Sequence, residues 1–596
     1  MATYTAPLRD IRFVLYDLLD VRQLSALAPF NAATPDIIDA VLEQAAKLCE
    51  DVLLPLRRSG DEQGCNFDNG VVRTPAGFRE AYRVFAEGGW TSLAADPAYG
   101  GQGLPQLLNF ILFEIVCSAN VAFGTYPALS EAAGLLLTTH ASEEIKRTYL
   151  PPLIDGRWSG TMCLTEPHCG TDLGLVRTRA MPRGDGSYCL TGAKAFVTAG
   201  EHDLTENIIH NVLARLPGGP PGSKGLSLFL VPKFLVSADG LLYSRNSVRC
   251  GGIEHKMGLH ASATCVMNFD DAVGYLVGEP HGGMRCMFTM MNFARLAVGM
   301  QALGVAETAY QSAAAYARER LQGRAFAGAR RPGAPADPII VHPDVRRMLL
   351  TIRACTEGAR ALACWTALHM DLARHHPEAD VRQEADDLVQ LMTPVIKAFL
   401  TDIGFEAANL GLQIYGGHGY IRDHGMEQLV RDARVGQIYE GTNGVQALDL
   451  AGRKLGQHYG RLLRRVFHPI DRFIADHSDV PVLQEFVAPL AKAFNRLQRA
   501  TAWMAEQGAH DPVELASGAT EYLRLLGLVA VGFMWARMAE TAHTALVNGG
   551  SDTRFCTTKI ATARFFMLRL LPQTSSLLAT IMSGSGPIMD LPEECF

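Results

Sequence analysis

Between Gly160 and Gly282 short β-prone runs replace a helical pattern that holds on both sides of them. The runs are Thr191–Thr198, Asn207–Leu216, Leu226–Val231 and Thr264–Phe269. Turn-rich pieces separate them, PRGDGS at 182–187 and PGGPPGSKG at 217–225. This reads as a compact antiparallel β domain set between helical ones. Upstream, Ile37–Val52 keeps apolar residues at three- and four-residue spacing, and Thr34-Pro35-Asp36 suits its start. Helical patterns recur near Phe78–Glu87, Gln106–Ala119 and Ser142–Leu150, around a Gly-rich loop, AYGGQGLP, at 98–105. Downstream, long helices are expected over Met284–Arg320, Pro343–His375 and Val381–Gln413. A YGGHGYI turn then leads to a helix starting near Asn443. The remainder is helical again. The predicted domains are an N-terminal extension (1–36), a helical domain (37–159), a β domain (160–281), a helical bundle (282–456) and a helical C-terminal extension (457–596).

With 596 residues and 48% hydrophobic content, the chain has apolar material for several cores, which excludes disorder over most of its length. Its net charge of −7 argues against a general binder of nucleic acid or anionic membrane. The 13 cysteines are scattered without a CxxC, as expected for reduced core residues in a reducing, cytoplasmic compartment. The first 20 residues carry Asp10, Asp17 and Asp20, unlike a secretory or transit peptide. The most apolar run, Leu525–Ala536, is too short to span a bilayer and predicts a buried helix. There is no GxxxxGK[ST], GxGxxG, HExxH or GxSxG, and no metal cluster stands out.

Three segments carry candidate chemistry. Met162–Asp172 (MCLTEPHCGTD) places hydroxyls and small residues where the β domain begins. Ala195–Gly200 (AFVTAG) puts Phe196 and Thr198 on one side of a strand, where they can cover an aromatic ring system and bond its edge. Arg431–Asn443 (RDARVGQIYEGTN) sets Glu440 between a Tyr and a Gly-Thr turn, as either a helix-terminal charge or a general base.

Together, IYEGTNGVQALDLAGRKL, MCLTEPHCGTD, GAKAFVTAG and the turn QIYGGHGY closely resemble the acyl-CoA dehydrogenase family, in its order and at about its spacings. The resemblance covers roughly 35–455. The opening residues and the long C-terminal part look like its larger bacterial subgroup. It implies an α+β fold: an N-terminal helical domain, a middle antiparallel β-barrel domain, a C-terminal four-helix bundle and an extra helical domain. It also implies FAD as cofactor, electron-transfer flavoprotein as electron acceptor, and a homo-oligomer, expected to be a homodimer. No nucleic acid and no membrane span are expected. The implied reaction is α,β-dehydrogenation of an acyl-CoA, such as 3-methylmercaptopropionyl-CoA or a fatty acyl-CoA. An acyl-CoA oxidase and a DNA-associated flavoprotein of the alkylation-response type are the alternatives; the basic stretch GRKLGQHYGRLLRR at 452–465 keeps the second open.

Residue by residue, the resemblance makes Glu440 the base, with its backbone N–H on the thioester oxygen. Met162, Leu164 and Thr165 fall where the family lines the flavin, Thr198 where a hydroxyl meets N5, and Phe196 where a Trp is usual. Arg320, Gln413, Gly416, Gly417 and Thr442 match further FAD contacts, the first four across a subunit boundary. Thr171, Arg295, Tyr439 and Gly441 match substrate positions. Two departures are Gly323-Arg324 after Gln322, where the family often has Phe-Gly, and Gly444 in place of a second Gln.

Overall fold

The structure is a computed structural model that describes residues 3–237, 239–550 and 552–596. It divides into two compact units. One is residues 38–297; the other joins the N-terminal residues up to Ile37 to Val298–Phe596.

The first unit opens with helices α1 (Pro35–Leu48), α2 (Phe78–Glu87), α3 (Gln106–His140) and α4 (Glu143–Ile154). Helix α3 extends well past the predicted Ala119, but it is not straight. Asn120 adopts φ −156°, ψ 91°, and the Asn109 amide donates to the Glu131 carboxyl. Residues 22 apart on a straight helix would be about 33 Å apart. The contact therefore makes α3 a helical hairpin folded at Asn120. Asn120 Oδ1 caps the second arm at Phe123 N (3.2 Å).

A seven-stranded sheet follows: β1 (Trp158–Cys163), β2 (Arg179–Pro182), β3 (Tyr188–Thr198), β4 (Asn207–Arg215), β5 (Leu226–Pro232), β6 (Val248–Ile253) and β7 (Thr264–Val277). Pairing runs β7–β3–β2–β4–β5 and back to β7, so five strands close a ring, with β6 added beside β7. The expected barrel is present, but it is not purely antiparallel. β1, absent from the sequence reading, joins β4 in parallel from Trp158↔Asn207 to Cys163↔Val212, and β2 meets β4 in parallel at one pair, Arg179↔Arg215. Strand β4 has eight consecutive buried residues, the pattern of a strand covered on both faces. Its core neighbours include Leu190, Val197, Phe229, Cys265 and Phe269.

The second unit is helical. Helix α5 (Gly283–Glu319) begins in the first unit's residue range and continues into this one. α6 (Pro343–His375) and α7 (Ala379–Tyr415) pack along one another, with the short α8 (Met426–Arg434) and α9 (Asn443–Asp449) on α7. From the C-terminal extension come α10 (Arg461–Asp476), α11 (Gln484–His510), α12 (Ala519–Val547) and α13 (Thr553–Phe565). Helix α12 contains the apolar run Leu525–Ala536, buried against α6, α7 and α9. Gly358 makes this approach possible, since a Cβ there would lie 2.4 Å from Trp535 Nε1, which donates to Ala354 O at 2.9 Å. The extension and the bundle thus share one compact unit. Among the described residues, 379–420 and 519–547 are long and apolar enough to cross a membrane, as is 106–140 by length and composition although it is folded at Asn120; 78%, 89% and 94% of their most apolar windows are buried in the protein. Among the described residues all cysteines are free thiols.

A buried ionic cluster ties this unit together. Lys559 of α13 contacts Asp10, from the short helix Leu8–Arg12, and Glu357 of α6 (2.6 Å). Arg360 of α6 contacts Asp10 and Glu307 of α5 (2.7 Å), and Arg353 contacts Glu357 (2.6 Å). Burial alone would raise the Asp10 carboxyl; Lys559 and Arg360 hold it below its ordinary value.

Two outcomes follow from these packing features. Lys559→Met should cost about 3–5 kcal/mol by leaving Asp10 and Glu357 short of a cation, read as a lower urea midpoint. Adding Asp10→Leu should recover part of that loss. The second outcome concerns Glu131, whose carboxyl burial raises from 4.5 to about 7. A raised acid costs stability as pH climbs from 4.5 to 7, fully above that and not at all below 4.5. Glu131→Gln should therefore stabilise by about 1–2 kcal/mol at pH 8 and by nothing at pH 4, measured by thermal unfolding across pH.

Candidate active site

The segment that leads from α8 to α9 carries Tyr439, Glu440, Gly441 and Thr442. Glu440 lies at φ +56° and Gly441 at φ +83°, consecutive left-handed residues. For a residue with a Cβ this costs about 1–2 kcal/mol and persists only where the surroundings impose it. Here they do. The Tyr439 hydroxyl bonds the Gln301 side chain of α5, and Gln437 Nε2 donates to Asp402 Oδ1 of α7 at 2.7 Å. Asn443 Nδ2 donates to Asp402 Oδ1 (2.7 Å), Thr401 Oγ1 (3.0 Å) and Ala398 O (3.2 Å), and its Oδ1 accepts from the buried Lys397 at 2.9 Å. Thr442 Oγ1 caps α9 by accepting from Val445 N at 3.3 Å. Gln446, one turn into α9, donates to Glu440 O at 3.2 Å. Glu440 itself is half-buried.

In the first unit, β1 ends at Met162–Cys163 and runs on through Leu164 and Thr165, all but Cys163 half-buried. Ala195 N donates to Thr165 O at 2.8 Å, which sets this stretch beside β3. The β3–β7 register skips between Val197↔Cys265 and Lys194↔Met267, so Ala195 and Phe196 form a bulge. Phe196 sits at φ +55° and is 63% exposed. Thr198, two residues on, is half-buried on the same side. An exposed aromatic in a strained backbone beside a hydroxyl is a surface shaped to meet a ring system rather than to fill a core.

This corner is held by an ion pair that the sequence reading passed over. Lys194, fully buried, donates to Glu166 Oε1 (2.9 Å) and Leu164 O (3.0 Å). Glu166 also accepts from Arg177 N (2.8 Å), Thr178 N (3.0 Å) and Thr178 Oγ1 (2.6 Å). Burial would raise its carboxyl, yet Lys194 and these donors hold it at about 2. Glu166, His168 and Cys169 bring ligand-type atoms within 4.8 Å of one another, but Lys194 and the Thr178 donors already occupy the carboxylate.

The remaining expected positions fall as follows. Arg320 is exposed just past α5. Gln413 is in the last turn of α7. Gly416 follows at φ +59°, ψ −138°, a backbone suited to glycine, and a Cβ at Gly416 or Gly417 would meet nothing within 4 Å. Tyr316, one turn before Arg320, stacks on Tyr415 at 4.0 Å, and its hydroxyl bonds His418 Nδ1 at 3.0 Å. That stack sets Arg320 and the Gly416-Gly417 turn at one end of the bundle. Thr171 is exposed; Arg295 is 4% exposed, with Nη1 on Asn292 Oδ1 at 3.2 Å. At the departure from the family pattern, Gly323 lies at φ +68° and the nearby Phe326 is 92% exposed. The loop that carries them, 323–337, is drawn around the buried Asp337, which accepts from Ala325 N, Arg330 N and Arg331 N.

Comparison with known proteins settles the family. The N-terminal, middle and C-terminal domains of acyl-CoA dehydrogenase match residues 37–157, 161–272 and 281–455, and an acetyl-CoA dehydrogenase C-terminal-like domain matches 466–592. The chain belongs to the acyl-CoA dehydrogenase family. It is 43% identical to 3-methylmercaptopropionyl-CoA dehydrogenase of Ruegeria pomeroyi, over 96% of this chain and 97% of that one. It is 34% identical to a broad-specificity linear acyl-CoA dehydrogenase of Mycobacterium tuberculosis, over 100% of both. Among solved structures, Caenorhabditis elegans ACDH-11 in complex with C11-CoA shares the fold at a TM-score of 0.76 and 18% identity, covering 95% of this chain and 91% of that one. An acyl-CoA dehydrogenase from Bacillus anthracis complexed with FAD does so at 0.75 and 19%, covering 94% and 90%. Like its family, this acyl-CoA dehydrogenase is a flavoprotein oxidoreductase of the CH–CH bond of an acyl-CoA.

Besides the residues named from the sequence, one surface uses Lys194 and Glu166 and the other Asn443, Gln446 and Lys397. The first four lie within the quoted motifs, but only side-chain directions, which a linear pattern does not carry, separate them from their neighbours.

Proposed function

We propose that this chain is an FAD-dependent acyl-CoA dehydrogenase in which Glu440 removes the proton α to the thioester carbonyl. The observation that carries the reading is the Glu440 loop: a carboxylate on a left-handed backbone, fixed by bonds to α5, α7 and α9. A general base must meet one C–H bond at one angle, and a loop fixed on three helices supplies that angle. The Glu440 N–H donates to the thioester oxygen and stabilises the charge that develops there.

FAD, when bound, takes up the hydride leaving the β carbon. The chain's own residues fit that cofactor. Met162, Leu164 and Thr165 line its ring, Phe196 walls it and Thr198 offers a hydroxyl to its edge. Thr442, Arg320, Gln413, Gly416 and Gly417 hold the rest, the last four from a second copy in a homodimer. An Arg beside an open glycine turn suits a pyrophosphate, because the guanidinium pairs with it and the missing Cβ atoms leave room. Thr171, Arg295, Tyr439 and Gly441 serve the acyl-CoA. Electrons pass on to electron-transfer flavoprotein, in the cytoplasm. The 43% identical relative, named for 3-methylmercaptopropionyl-CoA, supports a short acyl group with a thioether in the chain as substrate.

Glu440→Gln tests the core of the reading. The variant should keep its yellow flavin and bind acyl-CoA, while the rate of flavin reduction in stopped flow drops by about 10²–10⁴-fold or more. Reduction at the wild-type rate would overturn the assignment.

A further inference from the structure

The clamp on the Glu440 loop has two parts with different reach. Asn443 ties the start of α9 to α7 and so sets where the loop lies. Gln446 touches the two left-handed residues directly. Its side chain is fully buried, and Nε2 donates to Glu440 O at 3.2 Å and to Gly441 O at 3.5 Å. Among the described residues its Oε1 has no hydrogen-bond partner, and these two carbonyls orient the amide. The approach is close: a Cβ on Gly441 would lie 2.6 Å from Gln446 Nε2. Gly441 is therefore needed twice, for its φ of +83° and for the space its missing side chain leaves.

In a trans peptide the C=O and the following N–H point in opposite directions. With the carbonyls of Glu440 and Gly441 turned toward one amide group, the N–H groups of Gly441 and Thr442 turn away from it. Two successive peptide planes are thereby fixed. The plane between Glu440 and Gly441 sets the ψ of Glu440; its φ is set from the other side, where Tyr439 N donates to Val435 O at 3.1 Å and the Tyr439 hydroxyl bonds Gln301, so the Cα–Cβ direction of Glu440 is held between the two.

Resting on the reading of Glu440 as the base, we propose that Gln446 is a positioning residue for the reaction, holding Glu440 in its left-handed conformation and so aiming its carboxylate. Without the amide, Glu440 returns to the right-handed or extended backbone that residues with a Cβ prefer, and the carboxylate swings off line. The loss falls on the chemical step, since Gln446 lies behind the loop and touches neither substrate nor cofactor in this reading.

Gln446→Met, of similar length but without a donor, tests this in the flavin-loaded enzyme. Flavin reduction should slow by about 10–100-fold, with the acyl-CoA Kd within twofold of wild type. The isotope effect with α-deuterated substrate should rise as proton removal becomes more rate-limiting. Hydrogen exchange over 438–446 should quicken in the substrate-free protein, with α5–α7 unchanged. Gln446→Glu adds a signature that a filler role lacks. Its rate relative to wild type should climb as pH falls, because the protonated carboxyl regains one donor; this variant also serves if Gln446→Met does not fold. A reduction rate within twofold of wild type for Gln446→Met overturns the proposal, as does a pH-independent ratio for Gln446→Glu. If Glu440→Gln abolishes reduction while Gln446→Met does not affect it, the base assignment stands and only the role of Gln446 fails. If Glu440→Gln leaves reduction intact, the base assignment itself fails.

Discussion

Three carboxylates and three cations meet in the dry interior of the second unit: Asp10, Glu307 and Glu357 with Arg353, Arg360 and Lys559. They come from the first dozen residues, from α5, from α6 and from α13, so four stretches far apart in sequence are bound through them. A buried charge is tolerable only when matched, and all members here but Arg353, which pairs with Glu357 one turn on, are matched from distant sequence. The cluster therefore contributes specificity of assembly. No α13 docked elsewhere would find the acids, and no α6 could lose Lys559 without stranding them. Lys559 also lies near the rings of Phe13, Trp535 and Phe555, with its Nζ 5.4–5.6 Å from the three centroids, so aromatic packing and charge select the same arrangement.

The two candidate catalytic surfaces use a different device. Phe196 and Glu440 both occupy left-handed backbone, one at a β-bulge and one in a helix-to-helix turn. In each case the neighbours remove the choice. At the bulge, Ala195 N is committed to Thr165 O, and Lys194 behind it to Glu166 and Leu164 O. In the turn, Asn443 and Gln446 hold the residues on either side. Strain at these two positions and a tightly bonded surround are the same fact seen from two sides, since an unconstrained loop would relax.

Much of this was legible in the linear pattern. The span of α2, the limits of α6 and most of the barrel strands follow from period and turn chemistry, and four segments identify the family. The rest was hidden for physical reasons. The α3 hairpin reads as one apolar run because both arms are buried, and one Asn marks its fold. Strand β1 is hidden because Trp-Ser-Gly-Thr-Met-Cys sets only two β-formers, Trp158 and Thr161, among Ser, Gly, Met and Cys, and owes its strand to pairing with β4, a long-range event. The ionic cluster was invisible because its members are hundreds of residues apart, as with Asp10 and Lys559. Glu440 was legible as a carboxylate in a motif; the left-handed turn that aims it was not, since only the adjacent Gly441 hints at it.

Helix α12 shows how the C-terminal extension completes the core of the second unit, since it covers faces of α6, α7 and α9. Gly358 and Gly527 are cut away to receive Trp535 and Phe399, which places α12 in close contact with the bundle. The bundle's own sequence thus anticipates the extension: the apolar faces of α6 and α7 are buried in cis, and a side chain at either glycine would push the two parts of one core apart.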